Sequence, residues 1–170
     1  MRKSFAVALT VVSMLTQSGL ASAAIQLGPA FTPKGEVRMT SVAANNPITT
    51  TASFSTGFVG IPDMIIPVTI PRGFIADVQI FFTGEMNSAD AQYVAALVDG
   101  FPTSPGIVQA FWGVHGGATS QAANFAAFLT AGDHTIQMEW GGLGGQQFMS
   151  ARQLTVILSV RRTIGHSDNG

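Results

Sequence analysis

Few side chains in this sequence could carry chemistry. The 170 residues include three histidines, nine carboxylates, one tyrosine and no cysteine. Without cysteine there is no thiol nucleophile, disulfide framework, zinc finger or iron–sulfur ligand set. A hydroxyl nucleophile needs an oriented base beside it. The sequence has no Gly-x-Ser-x-Gly elbow, and a set such as Ser150, His134 and Asp133 is assembled only by choosing freely along the chain. His115, His134 and His166 lie 19 and 32 residues apart, so no short metal-ligand spacing exists. Glu85 and Glu139 suit the two-carboxylate chemistry of glycosidases by type alone. Both fall on outward strand positions, where a solvated side chain is the ordinary reading. Gly141–Gly142–Leu143–Gly144–Gly145 is glycine-rich, but no Lys-Ser/Thr pair follows, so it reads as a hairpin loop rather than a phosphate cradle. The expectation is a non-enzymatic protein with no cofactor and no metal.

Charge narrows the partners. Eight basic residues stand against nine acidic ones, and charged residues are 10% of the chain, against about 25% in an average soluble protein. The basic field of a nucleic-acid binder is absent; after Arg2–Lys3 only Arg161 and Arg162 are adjacent. Hydrophobic residues are 46%, enough for a packed core and not the composition of a disordered chain.

The first residues read as a label. Met1–Arg2–Lys3 is basic, Phe5–Leu15 is apolar but short of the about 20 residues that span a bilayer, and Ala21–Ser22–Ala23 supplies small residues for cleavage. Residues 1–23 are therefore expected to be a signal peptide, with cleavage near Ala23 and a secreted or periplasmic mature chain. No later run is long enough for a membrane helix, so no stable membrane insertion of the mature chain is expected.

The elements that must position any site have a period of two. Phe74, Ala76, Val78, Ile80 and Phe82 alternate with Asp77, Gln79 and Thr83. His134, Ile136, Met138 and Trp140 form an inward set opposite Asp133, Thr135, Gln137 and Glu139. Leu154, Val156, Leu158 and Val160 repeat the pattern. Glu36–Val42 and Ile48–Ser55 read as early strands, and Met64–Ile70, interrupted by Pro67, as an edge strand. Gln92–Val98, Ile107–Val114 and Ala122–Leu129 are apolar on both faces. Turn signals such as Asp99–Gly100 separate these runs, and no long amphipathic helix intervenes. Short strands at this spacing read as an antiparallel sandwich or barrel.

A two-faced apolar strand needs a second cover: a partner subunit, a long loop or a ligand. Tyr93, Ala95, Leu97 and Phe111 are the candidate subunit-interface residues. Trp112, at the edge of a glycine-containing loop, and His115 within it are the candidate ligand contacts; core or interface packing is the competing reading for Trp112.

Three stretches carry a family resemblance: VTIPRGFIADVQIFFTGE (residues 68–85), AQYVAALVDG (91–100) and AGDHTIQMEWGGLGGQQFMSARQLTVI (131–157). Gly-x-His-Thr, a strand ending in an aromatic, a glycine-rich hairpin and Ser-x-Arg-x-Leu-Thr-Val resemble the C1q and tumour-necrosis-factor-like jelly roll, in its secreted bacterial form. The resemblance spans about Thr49 to Val160. It implies a jelly roll of about ten strands, commonly a homotrimer, with one sheet facing the threefold axis. On that pattern His134 takes the family's histidine position, either as a hydrogen-bonded structural residue or as a ligand or pH-sensitive group. Arg152 is expected to anchor the turn before the last strand. The domain plan is residues 24–47 as an N-terminal segment with the first strand, 48–162 as the jelly roll and 163–170 as a flexible tail. The functional expectation is self-assembly, with loops free for an extracellular glycan or protein ligand. The alternative is a monomeric carbohydrate-binding module with Trp112 in its site.

Overall fold

The computed structural model describes residues 25–32, 35–88, 90–111 and 117–163. The expected signal peptide, Trp112, His115 and His166 lie outside them. Ten strands form in chain order: β1 (Ile25–Thr32), β2 (Gly35–Ala44), β3 (Ile48–Thr50), β4 (Val59–Ile70), β5 (Phe74–Ser88), β6 (Gln92–Val98), β7 (Phe101–Phe111), β8 (Thr119–Leu129), β9 (Gly132–Gly142) and β10 (Gln147–Arg162). The pairing order is β1-β2-β10-β5-β8-β7-β6-β9-β4, with β3 also on β10. The main pairings are antiparallel, and the chain is an all-β jelly-roll sandwich.

Register explains how alternation becomes a core. In one sheet Ile80 lies opposite Val156 and Phe125, while Phe82 lies opposite Leu154 and Ala123. In the other, Val94 lies opposite Trp140, and Ala96 opposite Met138. These inward residues are all buried. A single-residue slip in either sheet would turn every one of them to solvent, so the pattern itself fixes the register.

The sandwich is nearly closed along both sides. On one side β7 leaves β6 and meets β8 through the Ser104–Ala126 pair. A register shift between Ala95 and Leu97 gives β7 the extra length, since Leu97 pairs with Pro102 but Ala95 with Ile107. On the other side Arg38 of β2 donates to the Thr69 carbonyl of β4 at 3.4 Å while paired with Glu36. β4 ends the strand order, the place where a proline such as Pro67 leaves no ladder bond unmade.

Three local expectations need correcting. Gly141–Gly145 does not close a hairpin. Both edges of β9 are occupied, by β4 and β6, so the chain must cross to the other sheet to continue as β10. The early strand at Ile48 stops at Thr50, because hydroxyls take over the backbone: Thr50 Oγ1 accepts from Ala52 N, and Thr56 Oγ1 from Ser53 N. β7 begins at Phe101, six residues earlier than Ile107, because Asp99 and Gly100 alone make the turn. Their φ values of 52° and 82° are those of a two-residue type I′ hairpin.

The segment after β3 lies back on the sheet. Gly142 N donates to Ala52 O at 2.9 Å, and Phe54 packs edge-on against Tyr93 with centroids 4.9 Å apart. Gly141 permits this approach: a Cβ there would stand 2.7 Å from the Phe58 ring and 3.2 Å from the Ala52 oxygen. Gly141→Ala is expected to lower the unfolding free energy by about 1–3 kcal/mol through overpacking, read from the urea midpoint. An unchanged midpoint would mean that residues 51–58 do not press on this strand.

Candidate functional site

Two polar constructions stand at opposite ends of the sandwich. The first is Arg152. It lies on the inward parity of β10 and its side chain is fully buried. β10 carries a bulge here: Met149 pairs with Met86 and Arg152 with Gly84, leaving Ser150 and Ala151 opposite Glu85 alone. The bulge aims the guanidinium across to the other sheet. Its Nε donates to Pro62 O at 3.2 Å, Nη1 to Asn46 O at 2.7 Å and Ser150 O at 3.1 Å, and Nη2 to Asn46 Oδ1 at 3.0 Å and Asp63 Oδ2 at 3.4 Å. Those five bonds match the five N–H donors of arginine. Burial pulls its pKa below the ordinary arginine value, opposed by the Asp63 charge. Asp63 is held at φ 65° in a bulge of β4, which inserts residues 61–64 between the Gly60–Glu139 and Ile65–Gln137 pairs.

The second construction is His134. It shares the inward parity of Ile136 and Met138 but stands at the end of the core, half-buried. Its Nδ1 is 2.7 Å from Asp99 Oδ2, and its Nε2 is 3.0 Å from the Thr130 carbonyl oxygen. The Asp99 turn is fastened further: Thr135 N donates to Asp99 Oδ1 at 2.8 Å, and Asp99 N donates to Thr135 O at 2.9 Å. The hydrogen bond that the ring donates to Asp99 raises the histidine pKa and lowers that of Asp99.

Beside this pair the two sheets part. Among the described residues β7 and β8 pair through Ser104 and Ala126, and beyond that pair a cleft of about 390 Å³ opens. Phe101, Pro102, Thr103, Phe128, Asp99 and His134 contribute to its lining. Phe101, next to the turn, is 75% exposed, and Phe128 is 54% exposed. A smaller hollow of about 240 Å³ lies at the Arg152 end, lined by Ile48, Phe148 and Glu85 among others.

The remaining sequence candidates are not gathered in one place. Tyr93, Ala95 and Leu97 share the outward face of β6: Tyr93 is half-buried against Phe54, Ala95 is 3% exposed and Leu97 is half-buried. Phe111 ends β7 opposite Gln92. Ser150 donates to Glu85 Oε2 at one end of the sandwich, whereas His134 stands at the other, and Asp133 accepts from Thr69 rather than from the histidine. Glu85 and Glu139 point outward from different sheets, so they cannot flank one bond. Burial raises the pKa of Glu139, which has no hydrogen-bond partner among the described residues. No group of three or more metal-ligating side chains occurs among the described residues.

The sequence reading did not anticipate the Asp99–His134 pair. Asp99 announces itself only as the first residue of an Asp-Gly turn, and 35 residues separate it from its partner. Asp63, Pro62 and Asn46 as the acceptors of Arg152 carry no local signal at all. Arg152→Ala would orphan those carbonyls and leave the bulges unsupported. It is expected to cost about 3–5 kcal/mol in urea unfolding at neutral pH. Arg152→Lys should recover little, because an ammonium lacks the planar fork; full recovery by lysine would show that only the charge matters.

No protein-family model matches the chain, and no curated protein sequence matches it. Among solved structures, a chain of the infectious bursal disease virus Gx strain is similar, with a TM-score of 0.37 and 10% identity over 86% of this chain and 43% of the viral one. The chain thus spans less than half the length of that viral protein.

Proposed function

We propose that this is a secreted, non-enzymatic jelly-roll protein that assembles as a homotrimer and leaves its loops free for an extracellular ligand. The observation that carries the reading is the outward face of the β2-β10-β5-β8 sheet. Row by row that face runs Val37–Ser159–Asp77–Phe128, then Met39–Ile157–Gln79–Ala126, then Ser41–Thr155–Phe81–Asn124. Asp77 is the one charge in those rows, and it is paired with Arg161 at 3.2 Å. Phe81 at 37% exposure, Phe128 and Val37 stand out from the face. Few charges and projecting aromatics are the composition of an interface centre.

The opposite outward face is less suited. It holds Glu139, a carboxylate with no partner among the described residues, and residues 51–58 already lie over Tyr93. The reading therefore moves the subunit contact from the Tyr93, Ala95 and Leu97 face to the sheet that contains the last strand. The threefold number rests on the resemblance to C1q and tumour-necrosis-factor-like proteins in residues 68–85, 91–100 and 131–157, in which one sheet surrounds the axis.

Sedimentation velocity with paired variants tests the face. Phe81→Asp should convert the oligomer to a folded monomer, because the carboxylate would be buried unpaired at the contact. Leu97→Asp, on the other sheet, should leave the oligomer intact. The reverse pattern would return the contact to β6. Retention of the oligomer by a folded Phe81→Asp variant would defeat the proposed face.

A further inference from the structure

We propose that His134 is a proton-operated clasp that holds the Asp99–Gly100 turn, and with it the mouth of the cleft between the sheets. Nδ1 faces a carboxylate oxygen and Nε2 faces a backbone carbonyl oxygen. Both partners only accept, so both ring nitrogens must donate, and only the imidazolium can do so. A neutral ring keeps one N–H; its other nitrogen then presents a lone pair to an oxygen.

The clasp joins two turns. Asp99 belongs to the β6–β7 turn, and Thr130 to the turn between β8 and β9. Phe101 and Pro102 follow the Asp99–Gly100 turn directly and line the cleft, and Leu129 and Thr130 line it from the other turn. With the ring protonated, one side chain spans the end of the cleft. On deprotonation one of the two ties is lost, and Phe101 is no longer held to the β8–β9 turn through the histidine.

The charged surroundings are few. Asp99 faces the ring from β6–β7, and Asp133 adds a favourable charge from β9 itself. β4 presents Val68 opposite His134, with Thr69 engaged by Asp133 and by Arg38. From the β8–β9 turn the Thr130 carbonyl approaches, and among the described residues Asp99 and His134 are the ionisable side chains that line the cleft. The local field therefore favours the charged ring, in agreement with its raised pKa.

The sign follows. A histidine whose folded pKa is raised contributes stability that is complete below its unfolded value of 6.5 and is lost as pH climbs through the folded value. Asp99, whose pKa is lowered, contributes above 3.8 and loses its contribution as pH falls through its folded value. The clasp is closed between those limits and loosens on the alkaline side.

Two measurements on the purified protein test it. The imidazole of His134, followed by NMR, should titrate above 6.5 with the amides of Asp99, Gly100 and Phe101 shifting on the same curve. Hydrogen exchange of those amides, corrected for intrinsic pH dependence, should quicken about tenfold across that titration. In His134→Gln the exchange should be fast and independent of pH over the same range. His115 and His166 remain in the variant, so the difference between the profiles belongs to His134. A His134 titration at or below 6.5, or equal pH dependence in wild type and variant, would overturn the proposal; the titration decides even if the variant does not fold.

Discussion

The arrangement at one end of the molecule depends on a single buried cation. Arg152 is the point where β10 stops pairing with β3 and begins pairing with β2, and its side chain crosses the sandwich to the bulge of β4. A guanidinium withdrawn from water is tolerated only where each N–H finds an acceptor. That requirement dictates the geometry around it. Asn46 must turn its carbonyl and its amide oxygen inward, the β10 bulge must expose the Ser150 carbonyl, and β4 must bulge to present Pro62 and Asp63. The β4 bulge also admits Ile61 and Met64 to the core, both buried. One polar knot thus fixes the β2–β3 connection, the entry to β10 and the middle of the edge strand.

At the far end the constraint is the hairpin turn at Asp99. Its left-handed residues make the turn, and its carboxylate then binds both a histidine ring and a strand amide. The two ends differ in kind. Arg152 keeps its charge at every ordinary pH, whereas His134 loses its own as the pH climbs through its raised pKa. At its two ends the sandwich therefore has one fastening that is permanent and one whose strength follows the proton concentration.

Much of the sandwich was legible because alternation is a direct imprint of the pleat. Ala76, Val78, Ile80 and Phe82 turn inward as their spacing requires, and Pro67 falls on the edge strand. What was not legible depended on which strands pair. The glycines at 141–145 could equally close a hairpin or carry the chain between sheets, and only the occupied edges of β9 decide it. The β7 register shift is hidden for the same reason, since Thr103–Gly106 has turn-like residues and yet serves to reach β8. Arg152 stood out by its place in a resembling motif, but its acceptors lie 89 to 106 residues away or on the adjacent bulge, beyond any local pattern.

We propose that the charge-poor outer sheet meets other copies of the chain. The composition of that face, with one paired charge among twelve outward positions in three rows, is its physical basis. The most direct measurement is the molar mass of the wild-type protein by light scattering on a size-exclusion column, over a range of concentrations. A homotrimer would give a mass of three chains. A single-chain mass that persists at the highest concentration would contradict it.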